Sequence, residues 1–192
     1  MRLWTLSVLH AIAVTPEGPS ALKAADNQIA QILVQGDDTS KRGALLVAMD
    51  LRQSVPDSFI PPLEQLLEAE YASEGIRAGA ADALVMAKPA DTDVQQMIVN
   101  LINDTSQTRS LRSKMIRFCA SPFVGAIIRD NVVRIANTTA DGDFRDAAIY
   151  AATQIGHDTV ARIGDRIVAI LKDHTESDSS RLTASAAFQM MR

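Results

Sequence analysis

Residues 60–87 read IPPLEQLLEAEYASEGIRAGAADALVMA, and two helical patterns follow one another in that stretch. The first carries an apolar stripe, Ile60, Leu63 and Leu67, at helical spacing. The second comes after Ser73 and Glu74, carries an arginine at Arg77, and continues in small and apolar residues to Ala87. The same order recurs along the chain. Arg42, Arg77, Arg112, Arg145 and Arg181 are separated by 35, 35, 33 and 36 residues. Three positions after them stand Leu45, Ala80, Met115, Ala148 and Ala184, and seven after them Met49, Leu84, Cys119, Ala152 and Phe188. A period longer than any single helix marks a repeat architecture, in which each unit buries its apolar face on its neighbours.

We call the arginine helix A and the striped helix before it B. Apolar periodicity places helices at about 2–14, 19–35, 40–53, 58–71, 74–88, 92–103, 108–120, 122–137, 143–155, 158–173 and 180–191. Prolines mark the A-to-B passage at Pro16, Pro19, Pro56, Pro89 and Pro122, since proline is tolerated in a first helical turn and not in an interior. Pro61 and Pro62 fall inside the expected 58–71 helix, which therefore either begins there or is kinked. The B-to-A turns carry Asp37, Asp38, Ser73, Glu74, Asp141, Asp143, Ser177 and Asp178, short oxygen-bearing side chains suited to capping. The expected fold class is all-α: a right-handed α-α superhelix of about five helix pairs and a terminal helix, one repeat domain over residues 1–192. The ends lack polar capping units, so the chain also reads as a piece of a longer solenoid.

Composition agrees with close helix packing. Hydrophobic residues make up 47% of the 192 residues but aromatics only 4%, so the core is mainly Ala, Leu, Ile, Val and Met. Expected core residues are Leu63, Leu67, Leu84, Leu101, Ile163 and Ile167. One cysteine forms no internal disulfide, and Cys119 shares the register of Leu84 and Ala152, which makes it a small core residue. His10, His157 and His174 lack the spacing that sets two metal ligands on one helical face, so no cofactor is expected. No stretch reaches the about 18 apolar residues of a membrane span. Residues 1–14, MRLWTLSVLHAIAV, fit the scheme as an A helix with Arg2 at the arginine position. The expected compartment is the cytoplasm, or a secreted or periplasmic one if residues 1–13 act as a signal.

The units IPPLEQLLEAEYASEGIRAGAADALVMA (60–87), VQQMIVNLINDTSQTRSLRSKMIRFCA (94–120) and IVAILKDHTESDSSRLTASAAFQMM (167–191) resemble HEAT repeats, more closely the short HEAT-like type of bacterial scaffold proteins and phycobilin lyases. The spacing here is shorter than the about 40–47 residues of typical HEAT and armadillo repeats. Tetratricopeptide and ankyrin repeats have a nearer period, but their signature residues are missing. The resemblance implies that the arginine column is structural, each arginine pairing with an acid of the preceding turn, as Arg42 with Asp37 or Asp38 and Arg77 with Glu74. Arg112 departs from that pattern, because its turn, residues 104–108, has its nearest acid further back.

The resemblance also places the B helices on the concave side of such a stack. Set in register, Gln65 and Glu68, Gln96 and Asn100, Asp130 and Arg134, and Arg162 and Arg166 form one strip that grades from acidic through amide to basic. Charge grades likewise along the chain: residues 1–104 hold 7 Lys or Arg against 14 Asp or Glu, and residues 105–192 hold 12 against 9. The expected function is a non-enzymatic scaffold that binds another protein or peptide, one with an acidic segment, through Arg134, Arg162 and Arg166. The resemblance gives two alternatives: a lyase or cofactor chaperone of the phycobilin type, and a nucleic-acid-binding helical repeat. A net charge of −4 argues against the last.

Overall fold

The computed structural model describes Leu9, Ala11, Ile12, Thr15, Glu17, Ser20 and residues 22–191. Arg2, His10, Pro16, Pro19 and most of the expected 2–14 helix, with the signal reading of residues 1–13, lie outside them. The described residues form helices and turns, with no strand among them, and none of these helices is long and apolar enough to cross a membrane. The chain divides into two compact units, residues 1–89 and 90–192.

In the first unit a 3-10 turn, Lys23–Ala25, leads into α1 (Asp26–Gln35), followed by α2 (Asp38–Leu51), α3 (Ile60–Glu68) and α4 (Glu74–Ala87). B helix α1 packs on B helix α3, A helix α2 on A helix α4, and each B helix on the A helix that follows it. The second unit holds α5 (Thr92–Asn103), α6 (Arg109–Phe118), α7 (Ala126–Thr138), α8 (Gly142–Ile155), α9 (His157–Ala161), α10 (Gly164–Lys172) and α11 (Asp178–Gln189). There α8 is the hub, packed on α7 and on the A helices α6 and α11 to either side, while α5 packs on α7.

The core follows the repeat. All five residues three positions after the arginines are buried: Leu45, Ala80, Met115, Ala148 and Ala184. Leu63, Leu67, Leu84, Ile163 and Ile167 are buried as expected, and so is Cys119. Leu101 is not. Helix α5 turns Val94, Ile98 and Ile102 fully inward, which leaves Leu101 one position round at the edge of the contact.

Local chemistry explains the boundaries. Asp37, Asp91, Thr108, Asp141 and Ser177 each cap a helix by accepting from backbone N–H groups of its first turn, which would otherwise lack partners. Ser73 occupies the same position before α4 but makes no such bond, and its Oγ is buried without a partner. Pro61 and Pro62 lie in the first turn of α3, so that helix begins there and is not kinked by them. Two boundaries correct the sequence expectation. Helix α7 starts at Ala126, well past Pro122, because Gly125 is its N-cap and Gln95 of α5 reaches across to receive the N–H of Ile127 at 3.1 Å. The expected 158–173 helix is interrupted: Ile163 leaves helical geometry at φ −117°, ψ 12°, and α10 resumes at Gly164.

The arginine column ties helix to helix. Arg77 Nε donates to Leu67 O at 2.9 Å and Arg112 Nε to Ile102 O at 2.6 Å, in both cases ten residues back, at the next-to-last residue of the preceding B helix. Carbonyls in a last turn have no acceptor role inside the helix, and a cation there also meets the negative end of its dipole. Other contacts reach one repeat forward. The Arg42 guanidinium lies against Gly75, the Arg112 guanidinium sits 4.5 Å from the centre of the Phe144 ring, and Arg109 pairs with Asp141 at 2.9 Å. Arg145, 2% exposed, grips Glu176 through Nη1 and Nη2 at 2.7 Å each. Its acid thus comes from the following turn, whereas the preceding turn's Asp141 is taken up in capping and in the pair with Arg109. Burial works against the Arg145 charge, but Glu176, then Asp146, more than offset it and hold the pKa above the ordinary arginine value. Arg181, last of the column, is half-buried.

Candidate functional site

The strip residues separate between the two units. Gln65 and Glu68 stand exposed on α3 of the first. The other six belong to the second, where the B helices are stitched together by side-chain hydrogen bonds. On α5, Gln96 Nε2 donates to Asn100 Oδ1 at 2.7 Å. Between α5 and α7, Asn103 Nδ2 donates to Asn131 Oδ1 at 3.0 Å, and Arg134 Nη2 donates to both Asn103 Oδ1 and Asn131 Oδ1 at 2.7 Å. From α7 to the turn between α9 and α10, Arg162 Nη1 donates to Asp130 Oδ1 at 2.8 Å, and Asn137 Nδ2 donates to Arg162 O at 3.3 Å.

This arrangement revises the expected strip. Arg162 and Arg166 do not share one helical face, because the chain turns at Arg162 and Ile163 before α10 begins. Arg166 is half-buried, with its Nε shut off from solvent and without an acceptor. Asp130 and Arg162 neutralise each other, so the charge gradient is locally balanced at that step. The pair remains open to solvent, with side chains 62% and 47% exposed. Pairs this exposed contribute only about 0–1 kcal/mol to stability. Their consequence is to fix where the guanidinium lies.

Asn103, Asn131 and Asn137 join the face without having been singled out by the sequence. A second device also went unread. Asp104 and Asp173 each stand eight residues before a repeat arginine, at the end of a B helix, and each is followed two residues later by Ser106 or Thr175. The Ser106 hydroxyl and N–H, with Gln107, hold the Asp104 carboxyl below the usual carboxylate range. The Thr175 hydroxyl and N–H do the same for Asp173. These turns are built to stay ionised beside the B-helix ends.

Elsewhere, Asp82 of α4 is the strongly perturbed acid: burial pushes its carboxyl up to about 7. No set of three or more His, Cys, Asp or Glu side chains able to hold a metal occurs among the described residues. His157 is exposed, 3.6 Å from Asp158, and Cys119 is buried. No family model and no curated protein matches the chain in sequence.

Proposed function

We propose that this chain is a non-enzymatic interaction scaffold of the HEAT-like type, its helix pairs wound as a right-handed superhelix, and that the B-helix face of residues 90–192 takes an acidic segment of another protein. The packing of B on B and A on A in each unit, with side-chain contacts reaching one repeat ahead, supports the repeat reading. The observation that carries the binding reading is the fixing of two exposed guanidinium groups. Arg162 is held through Nη1 by Asp130, and Arg134 through Nη2 by Asn103 and Asn131. A guanidinium has five N–H donors, so each keeps an edge for an incoming carboxylate. A side chain already ordered loses less freedom on binding, and more of its interaction energy appears as affinity.

The test is calorimetric titration of a Glu-Gly repeat peptide into the wild type and into Arg134→Gln/Arg162→Gln, at low and physiological salt. The expected result is about tenfold weaker binding by the variant, a loss of about 1.4 kcal/mol, and weaker binding by the wild type at the higher salt. Equal affinity for both proteins, with unchanged helical circular dichroism, refutes the assignment of this face.

A further inference from the structure

The two exposed guanidinium groups of the B face are fixed through different atoms, and that leaves them unequal. A guanidinium can fork a carboxylate along two edges, Nε with Nη2 or Nη1 with Nη2. Arg162 gives Asp130 one N–H of Nη1, so its Nε–Nη2 edge stays whole. Arg134 spends Nη2 on both Asn103 and Asn131, and Nη2 belongs to both edges. Arg134 still has N–H donors on Nε and Nη1, but these point to different sides of the group, so the edge it keeps is one-pronged. Placement adds a direction. Asp130 and Asn131 are consecutive on α7, separated by about 1.5 Å of rise and about 100° of turn, so the two guanidinium groups stand at nearly one level on different flanks of that helix. A segment that meets both crosses α7 and does not run along it. On the Arg134 side lies α5, which carries Asp93 and no Lys or Arg. Its exposed Gln96 and Asn100 share one hydrogen bond, which leaves Gln96 Oε1 to accept and Asn100 Nδ2 to donate. Those two groups complement the N–H and C=O of main chain.

We propose that this face selects an extended segment with a single carboxylate, not a run of acids. Arg162 is the anchor and grips that carboxylate through Nε and Nη2. Arg134 and the Gln96–Asn100 pair hold uncharged main chain on the α5 side. The proposal rests on the B-face reading and narrows it. A second acid placed toward α5 meets only the single donors of Arg134 and then Asp93, so it adds little affinity. Lysine is a point charge without a fork, and it therefore replaces Arg134 far better than Arg162.

The probes are a Gly-Ser peptide with one central Glu, the same peptide with Gln in its place, and the Glu-Gly repeat. Each is titrated into the full chain and followed by NMR of the arginine Nε–H groups, whose signals are assigned by their loss in Arg162→Lys and Arg134→Lys. The single-Glu peptide is expected to bind within about threefold of the repeat, and the Gln peptide about tenfold more weakly. Arg162→Lys is expected to weaken the single-Glu peptide about tenfold and Arg134→Lys no more than about twofold, with circular dichroism unchanged in both. The Arg162 Nε–H signal moves downfield as its bond to the carboxylate forms, and the Arg134 signal moves less. A repeat that binds where the single-Glu peptide does not, equal losses from the two lysine variants, or a shift confined to Arg134 overturns the proposal and leaves the acidic-segment reading standing. If Arg134→Gln/Arg162→Gln takes the repeat as well as wild type does, or no peptide binds, the B-face reading itself falls and this proposal with it.

Discussion

Replacing Gly125 with Ala tests whether the start of α7 is set by Gln95. Gly125 has φ −73° and ψ 176°, an extended conformation that alanine adopts without strain. Backbone freedom is therefore not the reason for glycine here. A Cβ at this position runs into the Gln95 amide, both Oε1 and Nε2, and Gln95 is 3% exposed with little room to retreat. Its Oε1 accepts from Ile127 N in the first turn of α7. Displacing that amide leaves a partly buried N–H without its hydrogen bond, at a total cost of about 1–3 kcal/mol. Alanine is a poorer N-cap than glycine but restricts the unfolded chain, and these two effects nearly cancel. Gly125→Ala is thus expected to destabilise by about 1–3 kcal/mol. In a Gln95→Ala background the obstacle is gone, and the same substitution is expected to cost less than about 0.5 kcal/mol, a coupling of about 2 kcal/mol. Urea unfolding followed by circular dichroism on the four proteins of the cycle gives the number. An equal cost in both backgrounds would falsify the account, because the glycine would then be needed for something other than the Gln95 contact.

Three further outcomes follow from particular residues. Arg52, at the end of α2, has φ 52° and ψ −125°, a region that only glycine occupies without strain, so Arg52→Gly is expected to raise stability by about 1 kcal/mol in thermal unfolding; a loss of stability shows that the side chain earns its conformation through contacts. Asp82 binds its proton more tightly folded than unfolded, because burial raises its carboxyl to about 7. Its contribution to stability is therefore fully present below the unfolded value near 4 and is lost as pH rises through 7, by up to about 4 kcal/mol at pH 8. Asp82→Asn should flatten that part of a stability profile measured from pH 4 to 8, and an unchanged slope contradicts the assignment. Arg145→Met leaves Glu176 and buried Asp146 without their cation, and a loss of about 3–5 kcal/mol is expected in urea unfolding; less than about 1 kcal/mol shows that the network relaxes around the gap.

What the sequence made legible was whatever depends on one helix at a time. The interval between arginines located the A helices, and the residues three positions on proved buried in every one, because helical spacing fixes which positions share a face. Identifying which partner a polar side chain meets requires the distance between two helices, and no spacing within one helix carries that. Arg145 is the instructive case. Asp141 precedes it by four residues and suits it electrostatically, yet that carboxylate caps α8 and pairs with Arg109, and the guanidinium turns forward to Glu176. The same limit hid Asn103, Asn131 and Asn137, whose amides look like ordinary solvated residues until α5, α7 and the turn after α9 stand side by side. The interruption at Ile163 was hidden for another reason. The apolar stripe through Ile163, Ile167 and Ile170 stays buried across it, so periodicity registers continuity where the backbone breaks. That break separates Arg162 from Arg166 and hands Arg162 to Asp130. The candidate binding face therefore depends on a backbone feature that the apolar pattern conceals, and of the three expected arginines Arg134 and Arg162, but not Arg166, are fixed at its surface.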